Sequence, residues 1–331
     1  VSGAEQRLLA VAGRVTSRDR WMLAMLYEHR VLTSHQLTRL AFRGDRMARM
    51  RLTTLHRLQA VDRMRLYYGQ GRGTGPYHYM LGPVGAAILA AERGQSIADL
   101  GYRRDKLHAW MSSPHLGHLV GVNTVFTAWA YASRTRPDNE GLTVWWSERR
   151  TATLWQKWIR PDGYGTWQTA QRRLDFFLEF DTGSESLSQV VRKIPGYTRL
   201  AASSNLISPV LIWLPSASRE RELRARLATA PTGVVVVTAA PDPLTAPATA
   251  ADPPDLAPAR RVWLPLHTAI RTDLDGLATR YGISIPARSP ADDPDPHGDY
   301  EDHEDEVETD PAPTPRLPAP RFGPRSPLGP A

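Results

Sequence analysis

Residues 174–181 read Leu-Asp-Phe-Phe-Leu-Glu-Phe-Asp, and this octet limits the fold more than any other stretch. In a β-strand its side chains alternate, so Leu174, Phe176, Leu178 and Phe180 face one way and Asp175, Phe177, Glu179 and Asp181 the other. The first face belongs in a core. Three carboxylates on the opposite face repel one another unless water, a basic partner or a cation compensates them.

Strand-like and helix-like segments alternate around the octet. Thr143–Trp146 reads as a strand ending near Glu148. Arg160-Pro161-Asp162-Gly163 is a turn, and the loose Gly/Trp/Gln stretch after it suits a hairpin. Beyond the octet, Thr182 and Glu185 have capping-box spacing for a helix with Leu187, Val190, Val191 and Ile194 as its buried stripe. Pro195-Gly196 is expected to kink or end that helix before Tyr197. Strands then follow at 207–214, 233–238 and 261–264, with a helix at 218–227. The alternation predicts an α/β domain with a central mixed sheet over residues 103–282.

Residues 15–95 have a different pattern. Ser17-Arg18-Asp19 precedes an apolar series at Trp21, Met22, Met25 and Leu26, which is a capped amphipathic helix. Thr33-Ser34 caps a second, short helix with Leu37, Leu40 and Phe42. A third helix is expected from Arg46 to Asp62. On it Met47, Leu52, Leu55 and Leu58 gather on one side, with Arg51 near them, and Arg46, Arg49, Thr53, His56 and Arg57 gather on the other. Arginine bonds guanine bidentately, threonine reaches a phosphate or a thymine methyl, and further arginines hold phosphates. Met64–Tyr68 and Pro76–Leu81 flank a Gly-rich tip carrying Arg72, which reads as a hairpin. Three helices followed by a hairpin are the layout of a winged helix-turn-helix, with Arg72 on the backbone or in the minor groove of double-stranded DNA. The competing reading is a solvated arginine face, or a winged helix used for protein contact.

Charge supports an anionic partner. The eleven carboxylates between Asp292 and Asp310 meet only three arginines up to Ala331, so this stretch carries −8 and residues 1–291 carry +15 of the net +7. A body this basic points to nucleic acid. Lys106, Lys157 and Lys193 are the only lysines, so an arginine-rich coding bias contributes as well. The Pro-rich acidic residues 286–331 are expected to be disordered, with His297 and His303 solvated, and Pro241–Pro258 to be a long loop. The absence of cysteine excludes disulfides, thiolate-ligated zinc and thiol nucleophiles. No run of eighteen apolar residues and no signal-peptide core between Val1 and Arg20 occur, so the expectation is a cytoplasmic protein without a membrane partner.

Asp162 in a Pro-Asp pair, then Glu179-x-Asp181 on a strand, then a helix with Lys193, resembles the PD-(D/E)xK nuclease fold. The resemblance implies that Asp162, Glu179 and Asp181 hold Mg²⁺, with Mn²⁺ as a substitute, and that Lys193 helps activate the attacking water. Asp181 stands where that fold places its lysine, so Lys193 would supply the charge from the helix. More specifically, the chain is similar to the replication-relaxation family of bacterial plasmids and integrative elements. That similarity rests on the N-terminal winged helix, on His115-Leu116-x-His118 reaching Asn123, on Pro161-Asp162-Gly163, and on 177–185 leading to Lys193 and Tyr197. It implies a winged helix-turn-helix followed by a restriction-endonuclease-like α/β domain, α+β overall, that nicks or relaxes DNA in replication or transfer. Tyr197 is an alternative nucleophile to water. His115 is expected at an interdomain or DNA contact. A homodimer and replication or transfer proteins are further partners the sequence leaves open. The runner-up is a non-catalytic DNA-binding regulator with a degenerate nuclease fold, and a third reading is a transcription factor with a ligand-sensing α/β domain.

Overall fold

The computed structural model describes residues 11, 13–67, 74–204, 206, 208–229, 232–241, 256–285 and 312–318. Arg72, the acidic run 292–310 with His297 and His303, and residues 242–255 of the Pro/Ala-rich loop lie outside these.

The N-terminal unit begins with α1 (Ser17–His29), and its cap is one residue earlier than the sequence pattern suggests. Thr16 and Asp19 form a reciprocal capping box. Thr33 and Gln36 repeat the motif at α2 (Ser34–Ala41). The third helix, α3 (Asp45–Arg57), is shorter than expected. Gln59 takes a left-handed φ of 56°, and the chain turns into β2 (Val61–Tyr67), so Asp62 lies on a strand. There Asp62 accepts hydrogen bonds from Arg104 at 2.7 Å and His108 at 3.1 Å. The strand β3 (Thr74–Leu81) pairs antiparallel with β2 and with the short β1 (Leu32–Thr33), giving the order β1-β3-β2. The α4 helix (Pro83–Glu92) follows, and α5 (Arg104–Met111) and α6 (Leu116–Ser133) lead to the second unit.

The second unit is a mixed seven-stranded sheet, so the chain is an α/β protein with a central mixed sheet, as expected. Its main path runs β4 (Gly141–Ser147), β5 (Gly163–Gln168), β6 (Arg172–Phe180), β7 (Val210–Trp213), β8 (Val236–Ala239) and β9 (Leu264–Pro265). The short β10 (Ile283–Ser284) pairs with the start of β6. The first three strands are an antiparallel meander, β6, β7 and β8 are parallel, and β9 is antiparallel. Helix α7 (Glu148–Trp155), not foreseen, is capped by Ser147 and connects β4 to β5. The crossovers are α8 (Leu187–Ser204) and α9 (Ala217–Ala228), and α10 (Leu274–Tyr281) precedes β10.

The alternation of the octet is realised in β6. Leu174, Phe176 and Leu178 join Phe126 and Trp129 of α6 in the larger core, while Phe177 packs on the other face with Ile194 and Tyr197 of α8. Helix α8 departs from expectation twice. Thr182 and Glu185 do not cap it: the Gln189 side chain accepts the Ser186 N–H, and the helix starts at Leu187. It also continues through Pro195. A proline removes one ladder bond, but Ile194, Tyr197 and Leu200 are all buried on the same side and keep the helix on the sheet.

One buried cluster continues from the N-terminal helices into the sheet. Polar groups fix this junction. Asn123 donates to Val31 O at 2.8 Å, and Gln36 donates to Val120 O at 3.0 Å. The Glu28 carboxylate, 1% exposed, accepts from Ser147 N and Oγ and from both Nε and Nη2 of Arg150 at 2.8–3.1 Å. Residues 312–318, within the stretch read as tail, lie across the same body. Thr314 O accepts from the Trp21 indole, and Arg316 donates to the carbonyls of Arg136, Pro137 and Glu140.

Burial works against the charge on Glu28, yet Arg150, His29 and Ser147 hold its carboxyl down at about 2. Its stabilising contribution is therefore complete above the ordinary value of 4.5 and is lost as pH falls towards 2. Glu28→Ala leaves Arg150 without its buried partner and is expected to cost about 3 kcal/mol in urea unfolding at pH 7. A loss well under about 1 kcal/mol would show that this junction does not hold the units together.

Candidate functional site

Asp162 precedes β5 at the C-terminal end of β6. Its Oδ2 accepts the Phe180 N–H at 2.8 Å, tying the entry of one strand to the end of the next, and accepts from His118 Nε2 at 3.0 Å. His118 reaches this position because Gly121, one turn further along α6, lies directly against the Phe180 ring. A Cβ at Gly121 would come within 2.3 Å of that ring. Oδ1 of Asp162 has no hydrogen-bond partner among the described residues.

Glu179 is the penultimate residue of β6 and is 3% exposed. Two side chains four residues apart on α8 meet it, as i,i+4 neighbours on one helix face can. Lys193 Nζ donates to Oε2 at 2.5 Å, and the Tyr197 hydroxyl donates to Oε1. Burial and the nearby charge of Asp162 push the Glu179 carboxyl up to about 7, against the pull of Lys193 and Tyr197. Burial opposes the charge of Lys193, but Glu179 and Asp162 raise it above the usual lysine range, so it stays protonated. The Tyr197 hydroxyl is fully enclosed, and burial and Glu179 push its pKa well up. An enclosed, protonated phenol bonded to a carboxylate is a poor nucleophile.

Asp181 turns away from this pair. Arg219 at the start of α9 grips both its oxygens, and Oδ1 also accepts the Gly183 N–H at 2.8 Å. Asp162, Glu179 and Lys193 are thus brought together, and Asp181 is engaged elsewhere. Among the described residues no group of three or more His, Asp or Glu is gathered as a metal cluster. Two cavities open beside the carboxylates. One of about 560 Å³ is lined by Asp162, and one of about 480 Å³ by Glu179 and Asp181; His115, His118, Glu185 and Lys193 line both. The spacing of His115 and His118 is visible in the sequence, but the placement of His118 on Asp162 is not, and Arg219 carries no signal there.

On α3 the arginine face is present with a changed composition. Arg46, Arg49 and Arg57 are exposed, and among the described residues none of them makes an ion pair. Thr53 is half-buried beside them. His56 is also half-buried, and its Nδ1 lies 3.1 Å from Val61 O, which gives it a structural contact. Arg51, expected near the apolar side, pairs with buried Asp19. Met47, expected inside, is 53% exposed, and Met50 is 65% exposed; Leu52 and Leu55 are buried as expected, and Ala48 is the third buried residue of α3.

No helix among the described residues is long and apolar enough to cross a membrane. A family model described as replication-relaxation matches residues 23–209, from α1 to the end of the α8–β7 connection. No curated protein and no solved structure matches the chain.

Burial alone would lower the His118 pKa; hydrogen bonding and attraction from Asp162 raise it above 6.5 instead. Asp162→Asn is therefore expected to move the His118 titration below 6.5 and to bring the Glu179 carboxyl down from about 7, both readable by NMR. Two unchanged titrations would mean that these groups are not coupled.

Proposed function

The chain belongs to the replication-relaxation family, and we propose that it is a DNA-processing protein. In this reading the N-terminal unit is a winged helix-turn-helix that reads double-stranded DNA through α3. The second unit is a PD-(D/E)xK-like domain that nicks a phosphodiester with Mg²⁺ during replication or transfer of a plasmid or mobile element. The observation that carries the reading is the convergence of Asp162, Glu179 and Lys193 from a turn, a strand and a helix onto one end of the sheet.

The donor set suits a hard cation. Mg²⁺ uses one or two carboxylates and keeps several waters, and Asp162 and Glu179 supply such a pair. When bound, Mg²⁺ would lower the pKa of a water and offset negative charge developing on the phosphate. The protein's own groups do the rest. His118 and the Phe180 N–H fix the Asp162 carboxylate and leave its Oδ1 available. Tyr197 fixes Glu179 through Oε1. Lys193, held charged, sets a cation beside the place where the phosphate gains charge, which favours the transition state. With Tyr197 enclosed, water is the nucleophile. Asp181, paired with Arg219, shapes the loop after β6.

A second reading, a DNA-binding regulator with a degenerate nuclease fold, has its own support. Both Glu179 oxygens already accept hydrogen bonds, and Asp181 is neutralised by arginine.

Supercoiled origin DNA incubated with the protein and Mg²⁺ or Mn²⁺ should give relaxed circles. Asp162→Asn and Glu179→Gln should give none, and Lys193→Ala should be about 100-fold slower. No relaxed circles with either metal, with duplex binding intact, would leave the regulator reading. Replacing Arg46, Arg49 and Arg57 by Ala should weaken duplex binding and lower the salt slope by about 0.9 for each phosphate no longer neutralised. An unchanged slope would remove α3 from the interface.

A further inference from the structure

The 560 Å³ cavity beside Asp162 gathers three arginines from three places in the chain. Arg30 follows α1, Arg149 lies on α7, and Arg160 precedes Pro161. Arg30 lies 4.7 Å over the Trp110 ring. Arg149 donates to Tyr27 O at 3.1 Å, and Arg160 reaches Glu148 at 3.2 Å. Glu148 is the carboxylate at this end. Of the other acids in the wall, Asp162 belongs to the nuclease-like pair, and Glu185 lies beside Lys193 at the boundary with the second cavity.

Two observations show that this cluster is held at a cost. Burial, and then Arg149 and Arg160, lower the pKa of Arg30, with Glu148 opposing them. Arg30 also has a φ of 63°, in the left-handed region that a non-glycine residue seldom takes. Backbone strain of this kind clusters at active sites and ligand clamps, and the ligand that compensates three guanidinium groups is an anion.

We propose that this cleft binds a single DNA strand, with one phosphate among Arg30, Arg149 and Arg160 and a neighbouring phosphodiester at Asp162 and Glu179. The proposal rests on the nuclease reading and adds the form of its substrate. A cavity of this size suits a nucleotide and not a duplex, which is about 20 Å wide and reads proteins through its grooves. Trp110 and His115 line the same wall, with their rings 6.3 Å apart, and offer aromatic surface for an unstacked base. Arg30 comes from the N-terminal unit and the other two from the second, so the cleft is complete only where the two units dock.

The test uses the full chain in EDTA and a fluorescein-labelled single strand of about 12 nucleotides, followed by anisotropy. Arg149→Gln and Arg160→Gln should each weaken binding about tenfold, and each should lower the salt slope by about 0.7. Arg30→Gly relieves the left-handed φ, so it should bind more weakly while melting no lower than the wild type. Arg280→Gln, on the surface of α10, should bind as the wild type does. Unchanged affinity and slope in Arg149→Gln/Arg160→Gln, or an equal loss in Arg280→Gln, would overturn the proposal. Nothing is cut in EDTA. A protein that fails to nick but loses strand affinity in the cleft variants would therefore refute the nicking alone.

Discussion

Glu179 is a carboxylate withdrawn from water at the end of a central strand, and the architecture around it is arranged to make that tolerable. A buried charge is expensive unless it is paired and hydrogen-bonded. Lys193 and Tyr197 provide both, and they do so because α8 lies along β6 in one register and stays helical through Pro195. The parallel step from β6 to β7 that α8 bridges thus serves the carboxylate as well as the core. The same burial leaves Glu179 with a pKa near neutrality, so a bound cation would alter both its charge and its partners.

The second constraint is the junction between the units. Glu28, Asn123 and Gln36 place polar contacts inside a continuous apolar core. Such contacts demand one docking geometry, because each leaves an uncompensated buried group if the units shift. Arg30 follows directly from that helix end, two residues after Glu28. The same junction thereby carries an N-terminal arginine to the rim of the cavity that holds Asp162. The basic surface of α3 and the carboxylate pair are parts of one body.

Much of this was legible in the sequence, for reasons that differ by element. The octet at β6 declared itself because period-two alternation has one meaning when one face is wholly apolar. The cap at Thr33 and the Pro-Asp turn followed from local chemistry, and the pairing of Asp162 with Glu179 and Lys193 from family resemblance. What escaped depends on residues distant along the chain. The i,i+4 relation of Lys193 and Tyr197 needs a helix that local rules would end at Pro195, and it survives because Ile194, Tyr197 and Leu200 pack on the sheet. Asp181 looks equivalent to Glu179 by parity, but it lies past the end of the strand, where Arg219 from α9 claims it. The placement of His118 on Asp162 and the Arg30, Arg149 and Arg160 cluster have no signature, since they depend on how α1, α6 and α7 come together. On α3 the periodicity placed Leu52 and Leu55 in the core and the arginines outside, but Ala48 is buried where Met47 was expected.

In the proposed function Asp162 and Glu179 together hold a divalent cation for phosphodiester chemistry. Anomalous diffraction from crystals of the protein soaked in Mn²⁺ decides whether they do. An Mn²⁺ peak is expected between the two carboxylates, about 2.1 Å from an oxygen of each, and absent in Asp162→Asn crystals. A peak elsewhere only, or none while Glu179 keeps both its bonds to Lys193 and Tyr197, would contradict that claim and leave a protein that holds DNA without cutting it.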